Sequence, residues 1–230
     1  MRTHHRIITA LALTLGLVAA ACSSGGGGHK QTQGGAENRQ QPPAAAPATK
    51  TDPVAFGQGM RKLWEEHVTW TRLYIVSATS GLPDAQPTLD RLLRNQDDIG
   101  AAIKPVYGDA AGAKLTQLLR THISQAGDLV KAAKANDQAA VAKAKDAWFA
   151  NADDIATFVS QANPSNWPVN DVKAMMHTHL DQTIAEATDR LKGNHTQEIA
   201  DYDAIENHIL KLADALSTGI IKQHPDKFNA

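Results

Sequence analysis

The chain has 230 residues, of which 42% are hydrophobic, with one cysteine and a formal net charge of −1 at pH 7. Leaving out the first 21 residues removes Arg2 and Arg6, so that 21 of the 23 basic residues stand against 24 acidic ones, a net charge of −3. Without basic blocks, this balance argues against nucleic acid as a partner. A single cysteine also excludes an internal disulfide and a cysteine-rich metal site, so packing must hold the fold.

The first 21 residues predict an export signal. Arg2 and Arg6 give a basic start, residues 7–18 are an apolar run too short to span a membrane, and residues 19–21 are alanines. Cys22 follows at once and resembles the lipobox cysteine of bacterial lipoproteins, which implies lipidation and a membrane anchor on the extracytoplasmic face. Ordinary cleavage at the same point, which releases a soluble protein, is the alternative. Residues 22–51, rich in Gly, Ser, Gln, Pro and Ala, predict a flexible linker before a domain at 52–230.

Six amphipathic segments predict an all-α, up-and-down bundle of three helical hairpins. Each segment has apolar residues at the three- and four-residue spacing of a helix, and no segment alternates with period two. Asp52 is the expected N-cap of the first helix, and Pro53 is its expected first residue. The predicted helices cover residues 53–77, 88–104, 111–134, 138–161, 168–191 and 196–221.

Polar residues recur on the apolar faces of these helices at intervals of 27–29 residues, with a turn signal near the middle of each interval. The six residues are His67, Asn95, His122, Asn151, His179 and His208. Asn207 lies beside the last of them, where the pattern is looser. In an up-and-down bundle, residues equally far from a shared turn lie at one height. The spacing therefore predicts one polar layer across the middle of the bundle.

A duplicated hairpin accounts for this regularity. The motif Asn-x-Asp-Asp-Ile occurs at residues 95–99 and again at 151–155, each time after a histidine-bearing helix. Residues 201–205, which include Asp203, are a candidate remnant of a third copy. Three hairpins from one duplicated unit are the simplest history.

Metal binding is one hypothesis for the layer, with copper or zinc as the ion. Imidazole nitrogen suits both ions, and His67, His122 and His179 can converge from three helices, with His208 as a further candidate. Asp98 and Asp154 are candidate carboxylate ligands, on the flank of their helices. Met175 and Met176 precede His179 by four and three residues, a spacing that puts a thioether near that imidazole, as a copper site needs.

Two other hypotheses stay open. The layer can be a purely hydrogen-bonded core that fixes the register of the helices, as a buried asparagine does in a coiled coil. Alternatively, a small organic ligand can lie between the helices, with Arg72 as its anion partner and Trp64, Trp70 and Trp148 as walls. No Glu-x-x-His pair, His-Glu-x-x-His motif or phosphate loop is present, so the sequence predicts that the chain is not an enzyme.

Several motifs of the globular part resemble those of an uncharacterised family of bacterial secreted helical proteins. The first is Leu-Trp-Glu-Glu-His-Val-Thr-Trp-Thr-Arg at residues 63–72, and the others lie at residues 95–99, 104–108, 118–122, 151–155, 163–164, 179–180, 202–203 and 219–225. The last motif departs from the family's usual Gln-Phe-Pro, because His224 replaces the aromatic residue. This family has no established activity. The resemblance therefore implies only domain bounds and candidate site residues, and protein partners stay unknown.

Overall fold

The structure, a computed structural model, describes residues 50–229, and this part of the chain is all-helical. Its α-helices are α1 (Pro53–Ser80), α2 (Ala85–Lys134), α3 (Gln138–Ala162), α4 (Val169–Lys192) and α5 (His195–Gln223), followed by a 3₁₀ turn at Pro225–Lys227. The predicted export signal, Cys22 and residues 22–49 of the predicted linker lie outside the described residues. The prediction of an all-α fold is confirmed.

Helix α1 begins where the sequence places it. The Asp52 side chain accepts a hydrogen bond from the backbone N–H of Val54 at 2.8 Å, and Pro53 occupies the first helical position. Just before this cap, an isolated parallel bridge joins Thr51 to Phe228, with Thr51 N–H donating to the Lys227 carbonyl at 2.9 Å. Thr51, the last residue of the predicted linker, is thus paired with the segment that follows α5.

Helix α2 contains both the second and the third predicted helix, so five helices are assigned in the described residues instead of six. Pro105 and Gly108 interrupt it, and Gly108 has φ 85° and ψ 168°, a conformation that favours glycine. Beyond this point the chain reverses. Arg120, in the second half, donates to the carbonyl of Leu93 and to the carboxylate of Asp97 in the first half, all at about 3 Å.

Two glycines allow the halves of α2 to pack closely. A Cβ atom on Gly100 would lie 2.7 Å from the carbonyl oxygen of Gly112, and one on Gly112 would lie 2.6 Å from the carbonyl oxygen of Gly100. Real Cβ atoms do not approach backbone so closely. The pair of glycines therefore sets the distance between residues 85–107 and residues 109–134, which run antiparallel.

The helices form a closed bundle around one main core. Each helix packs on the next in the chain, and α5 returns to pack on α1. One end of the bundle, here called the base, contains the start of α1, the Gly108 reversal, the connection from α3 to α4 and the end of α5. Asn163 donates to the Gly219 carbonyl at 2.9 Å there, and Lys227 donates to the Pro105 carbonyl at 3.2 Å.

Candidate mid-bundle imidazole site

Five of the six residues of the predicted polar layer are buried. His67, His122 and His179 are 2–3% exposed, and Asn95 and Asn151 are 0% and 5% exposed. His208, for which the sequence pattern was looser, is half-buried. These polar groups are buried because they lie on the apolar face of each helix, and that face packs into the core.

A hydrogen bond recurs across all three helical hairpins of the bundle. In each, a polar side chain on the second helix donates to a backbone carbonyl on the first, and that carbonyl lies four residues before one of the buried histidines. The three pairs are Asn95 with Leu63, Asn151 with Leu118, and His208 with Met175, at 3.0, 3.3 and 2.8 Å. This repeated contact supports the duplicated hairpin and explains why polar side chains recur at a fixed interval.

The three buried imidazoles lie next to one another. The ring centroid of His179 is 5.6 Å from that of His67 and 6.5 Å from that of His122. Each outer ring also packs on an indole, His67 on Trp64 and His122 on Trp148, at 5.6 and 5.2 Å. The three histidines, here called the imidazole cluster, come from α1, the second half of α2 and α4.

Hydrogen bonds fix the orientation of two of these rings. His122 Nδ1 lies 3.0 Å from Asn151 Oδ1, and because the Asn151 amide nitrogen donates to Leu118, this oxygen accepts and His122 Nδ1 carries the proton. Its other nitrogen, Nε2, then has a free lone pair in the neutral ring. His67 Nδ1 lies 3.3 Å from Gln96 Nε2, which also donates to Leu92 and Asn95.

His179 differs, because its buried Nδ1 has no hydrogen-bond partner. A cavity of about 20 Å³ adjoins the imidazole cluster, and all three histidines and Trp148 line it. The indole N–H of Trp148 is also buried without a partner. A space of about 10–15 Å³ holds one water-sized species. The cavity therefore has room for one water-sized species next to the three imidazoles.

Burial keeps all three imidazoles neutral at pH 7. It lowers the pKa of His67 to about 4 and the pKa of His122 to about 3, and it holds the pKa of His179 well below its usual value. Neighbouring imidazoles add to the effect, because His67 disfavours a charge on His122, and His67, His122 and His208 disfavour one on His179. The neutral ring is the form that binds metal ions.

The predicted carboxylate ligands do not reach the cluster. Asp98, Asp154 and Asp203 are all exposed on the outside of the bundle. The flank positions predicted for Asp98 and Asp154 face solvent because no neighbouring helix covers them. Within residues 50–229, no three His, Cys, Asp or Glu side chains are arranged as they stand to hold a metal ion.

The two methionines predicted as copper ligands lie in different surroundings. Met176 is buried and lines an apolar cavity between the cluster and the base. Met175 is half-buried, and its backbone carbonyl accepts the hydrogen bond from His208. Asn207 is exposed and donates to the Asp203 carbonyl within its own helix, so it does not belong to the layer.

Arg72, the predicted anion partner of an organic ligand, lies in an ion-pair network with two buried glutamates. Its Nη1 donates to Glu186 Oε1 at 3.3 Å, and Glu198 Oε1 lies 2.6 Å from the same nitrogen without hydrogen-bond alignment. Its guanidinium also lies 4.8 Å from the ring centroid of Tyr202. Trp70 is half-buried under Arg91, at 5.0 Å, and is not a wall of an inner ligand site.

Burial raises the pKa of Glu186 to about 8, and the charges of Glu198 and Asp201 add to this effect while Arg72 opposes it. Arg72 thus lies beside two buried glutamates, Glu186 and Glu198. Sequence reasoning missed both glutamates, since helical spacing alone does not reveal that a distant arginine covers them. It also missed Gln96, although its position beside Asn95 on a buried helix was a usable signal.

Comparison with protein-family profiles, with curated proteins and with solved structures finds no significant match. Within residues 50–229, the fold and the site define an all-α helical bundle with a buried imidazole cluster. Between Lys50 and Asn229, no helix combines the length and apolar character needed to cross a membrane.

Proposed function

We propose that this protein is an extracytoplasmic lipoprotein whose imidazole cluster binds one copper or zinc ion. The observation that carries the proposal is His179, whose buried Nδ1 has no partner although two further neutral imidazoles and a small cavity adjoin it. A buried polar nitrogen without a partner costs about 1–3 kcal/mol, which a bound ion would recover. We do not propose a catalytic role or a nucleic-acid partner, because the chain has neither catalytic motifs nor basic blocks.

The ligands in this proposal are His67, His122 and His179. Two imidazoles on one zinc ion, at about 2.0–2.1 Å, have ring centroids about 5 Å apart. The separations of 5.6 and 6.5 Å lie close to this value. Rotation of the His179 ring, whose Nδ1 has no partner, and release of His67 Nδ1 from Gln96 would complete the site beside His122 Nε2, while His122 keeps its hydrogen bond to Asn151. The hydrogen bond from His122 Nδ1 to Asn151 resembles the outer contacts that orient metal-bound histidines.

The test is elemental analysis of the full chain, purified without a His tag or chelator and then titrated with copper and zinc. We expect one ion per chain in the wild type and none in His179→Ala. His177→Ala is a matched control, because His177 is on the same helix but lies on the surface beside Asp153. Cys22→Ser controls for binding by the thiol. A wild type that binds neither ion, or a His179→Ala variant that binds as the wild type does, would overturn the proposal.

A purely structural layer is the second candidate function, and the repeated hydrogen bond across the three hairpins favours it. Three contacts of the same kind would fix the register of the helices without any ligand. In that case one water molecule would fill the cavity beside Trp148 and His179. Alanine at Asn95 or at His179 would then lower the melting temperature to a similar extent, and neither would change the metal content.

We also propose that lipid on Cys22 anchors the protein to the extracytoplasmic face of the cell membrane. The basic start, the apolar run and the alanines before Cys22 support this proposal. Labelling with radioactive palmitate in the producing cells tests it. The wild type should incorporate the label and fractionate with membranes, and Cys22→Ser should do neither. An unlabelled wild type released into the medium would show that cleavage leaves a soluble protein.

A further inference from the structure

A second cavity lies between the imidazole cluster and the base of the bundle. Its volume is about 60 Å³, and residues from all five helices line it. Trp64 and Met176 lie at the end near the cluster, and Tyr107 and Trp167 lie at the end near the base. It is distinct from the cavity beside the histidines, because none of the three histidines lines it.

The interior of this cavity is entirely apolar, since no polar atom is exposed in it. The polar groups of the aromatic residues at its base end are engaged elsewhere. Tyr107 donates its hydroxyl to Gln223 at 2.6 Å, and Trp167 donates its indole N–H to the Ala215 carbonyl at 3.1 Å. A water molecule needs two to four polar partners, so water is not stable in this space.

The size of the cavity sets the size of its ligand. A dry apolar cavity of about 150 Å³ holds benzene, with six heavy atoms, so a cavity of about 60 Å³ accommodates two or three heavy atoms. Side chains that face an empty space lose their dispersion contacts on that side, and a nonpolar ligand restores them. Dry apolar cavities in proteins bind small nonpolar molecules for this reason.

We propose that this cavity is a binding site for a small nonpolar molecule of about two or three carbon atoms. The ligand class follows from the lining, because no polar atom is exposed in the cavity and a hydroxyl or charged group there would lose its hydrogen bonds. The indole N–H of Trp64 is buried without a partner, but it is not exposed to this space. The site lies within about one helical turn of the imidazole cluster, since Trp64 precedes His67 by three residues and Met176 precedes His179 by three. The proposal does not require a metal ion.

The experiment uses propane and ethanol, two probes of three heavy atoms each, and methyl NMR of the full chain. Addition of propane should shift the methyl resonances of Ile103 and Leu212, which line the cavity, and leave that of the exposed Leu82 unchanged. The affinity for ethanol should be at least about tenfold lower, because its hydroxyl loses its hydrogen bonds to water.

Cavity-filling variants provide the control. Ala111 lines the cavity and Ala113 is exposed two residues later, so Ala111→Leu should abolish the propane shifts and Ala113→Leu should leave them intact. If Ala111→Leu does not fold, Ala162→Leu fills the same space from α3. Absence of shifts in the wild type at saturation, shifts that survive the filling variants, or equal affinity for ethanol would overturn the proposal.

Discussion

His122 donates its Nδ1–H to the Oδ1 atom of Asn151 across 3.0 Å, and Asn151 donates in turn to the Leu118 carbonyl, one turn before His122. These two hydrogen bonds thus join α3 to the second half of α2. The asparagine satisfies one imidazole nitrogen and leaves the other available. One residue therefore serves both the register of the hairpin and the orientation of the candidate ligand.

Replacement of Asn151 by alanine should lower the free energy of unfolding by about 2–4 kcal/mol. The change leaves the His122 Nδ1–H buried without a partner, at a cost of about 1–3 kcal/mol, and removes the second hydrogen bond of the Leu118 carbonyl, worth about 0.5–1.5 kcal/mol. Urea unfolding at pH 7 measures the effect. Asn207→Ala is the control, because Asn207 is exposed and bonds within its own helix, and it should change stability by less than about 0.5 kcal/mol. Equal effects of the two variants would contradict this account.

The imidazole cluster should make the protein sensitive to acid. The folded-state pKa is about 4 for His67, about 3 for His122 and depressed for His179, against about 6.5 in an unfolded chain. As the pH falls from about 6.5 to 4, these histidines therefore take up protons in the unfolded chain but not in the folded protein. The free energy of unfolding falls over that window, by up to about 1.4 kcal/mol per pH unit for each histidine.

Urea unfolding at pH 7 and at pH 5 checks this dependence. His122→Gln should lose less stability between the two values than the wild type, because it removes one of the depressed groups. His195→Gln should behave as the wild type does, since the side chain of His195 is 60% exposed. The prediction would be contradicted if the wild type were equally stable at pH 5 and pH 7 and His122→Gln were too.

Glu186 should have the opposite pH dependence. Its pKa is about 8 in the folded protein and about 4.5 unfolded, so the folded state binds the extra proton between these values and stability falls as the pH rises. Glu186→Gln imitates the protonated form and should flatten this decline, by up to about 1 kcal/mol per pH unit between pH 5 and pH 8. Unfolding curves across that range measure it, with the exposed Glu65→Gln as control. A steeper decline in Glu186→Gln would show that the carboxylate is ionised beside Arg72.

The glycine contact inside α2 should tolerate no side chain. Gly112→Ala places a Cβ atom 2.6 Å from the Gly100 carbonyl oxygen and should cost about 2–3 kcal/mol by forcing the two halves of the helix apart. Gly59→Ala, on α1, meets no atom within 4 Å and should stabilise the protein by up to about 1 kcal/mol through helix propensity. Thermal unfolding should show a lower melting temperature for Gly112→Ala and a higher one for Gly59→Ala. A stabilising Gly112→Ala would mean that the halves are not in close contact.

Helical periodicity was a sound guide to which polar residues are buried. His67, Asn95, His122, Asn151 and His179 each occupy an apolar seam, and all five are in the core. Periodicity was a poor guide to residues on the flank of a seam. Asp98 and Asp154 lie three residues after Asn95 and Asn151, and a flank position is buried or exposed according to the neighbouring helix, which the local pattern does not contain.

The sequence by itself determined that the chain is helical, that α1 begins after Asp52, and that a layer of histidines and amides crosses the core. These features depend on contacts between residues close in the chain and on the spacing of apolar positions. The tertiary structure decided the rest. It folded the two halves of α2 against each other at Gly108, placed Glu186 and Glu198 beside Arg72, left His179 Nδ1 without a partner and formed the apolar cavity. Each of these depends on which distant side chains meet, and only the packing of the helices settles that.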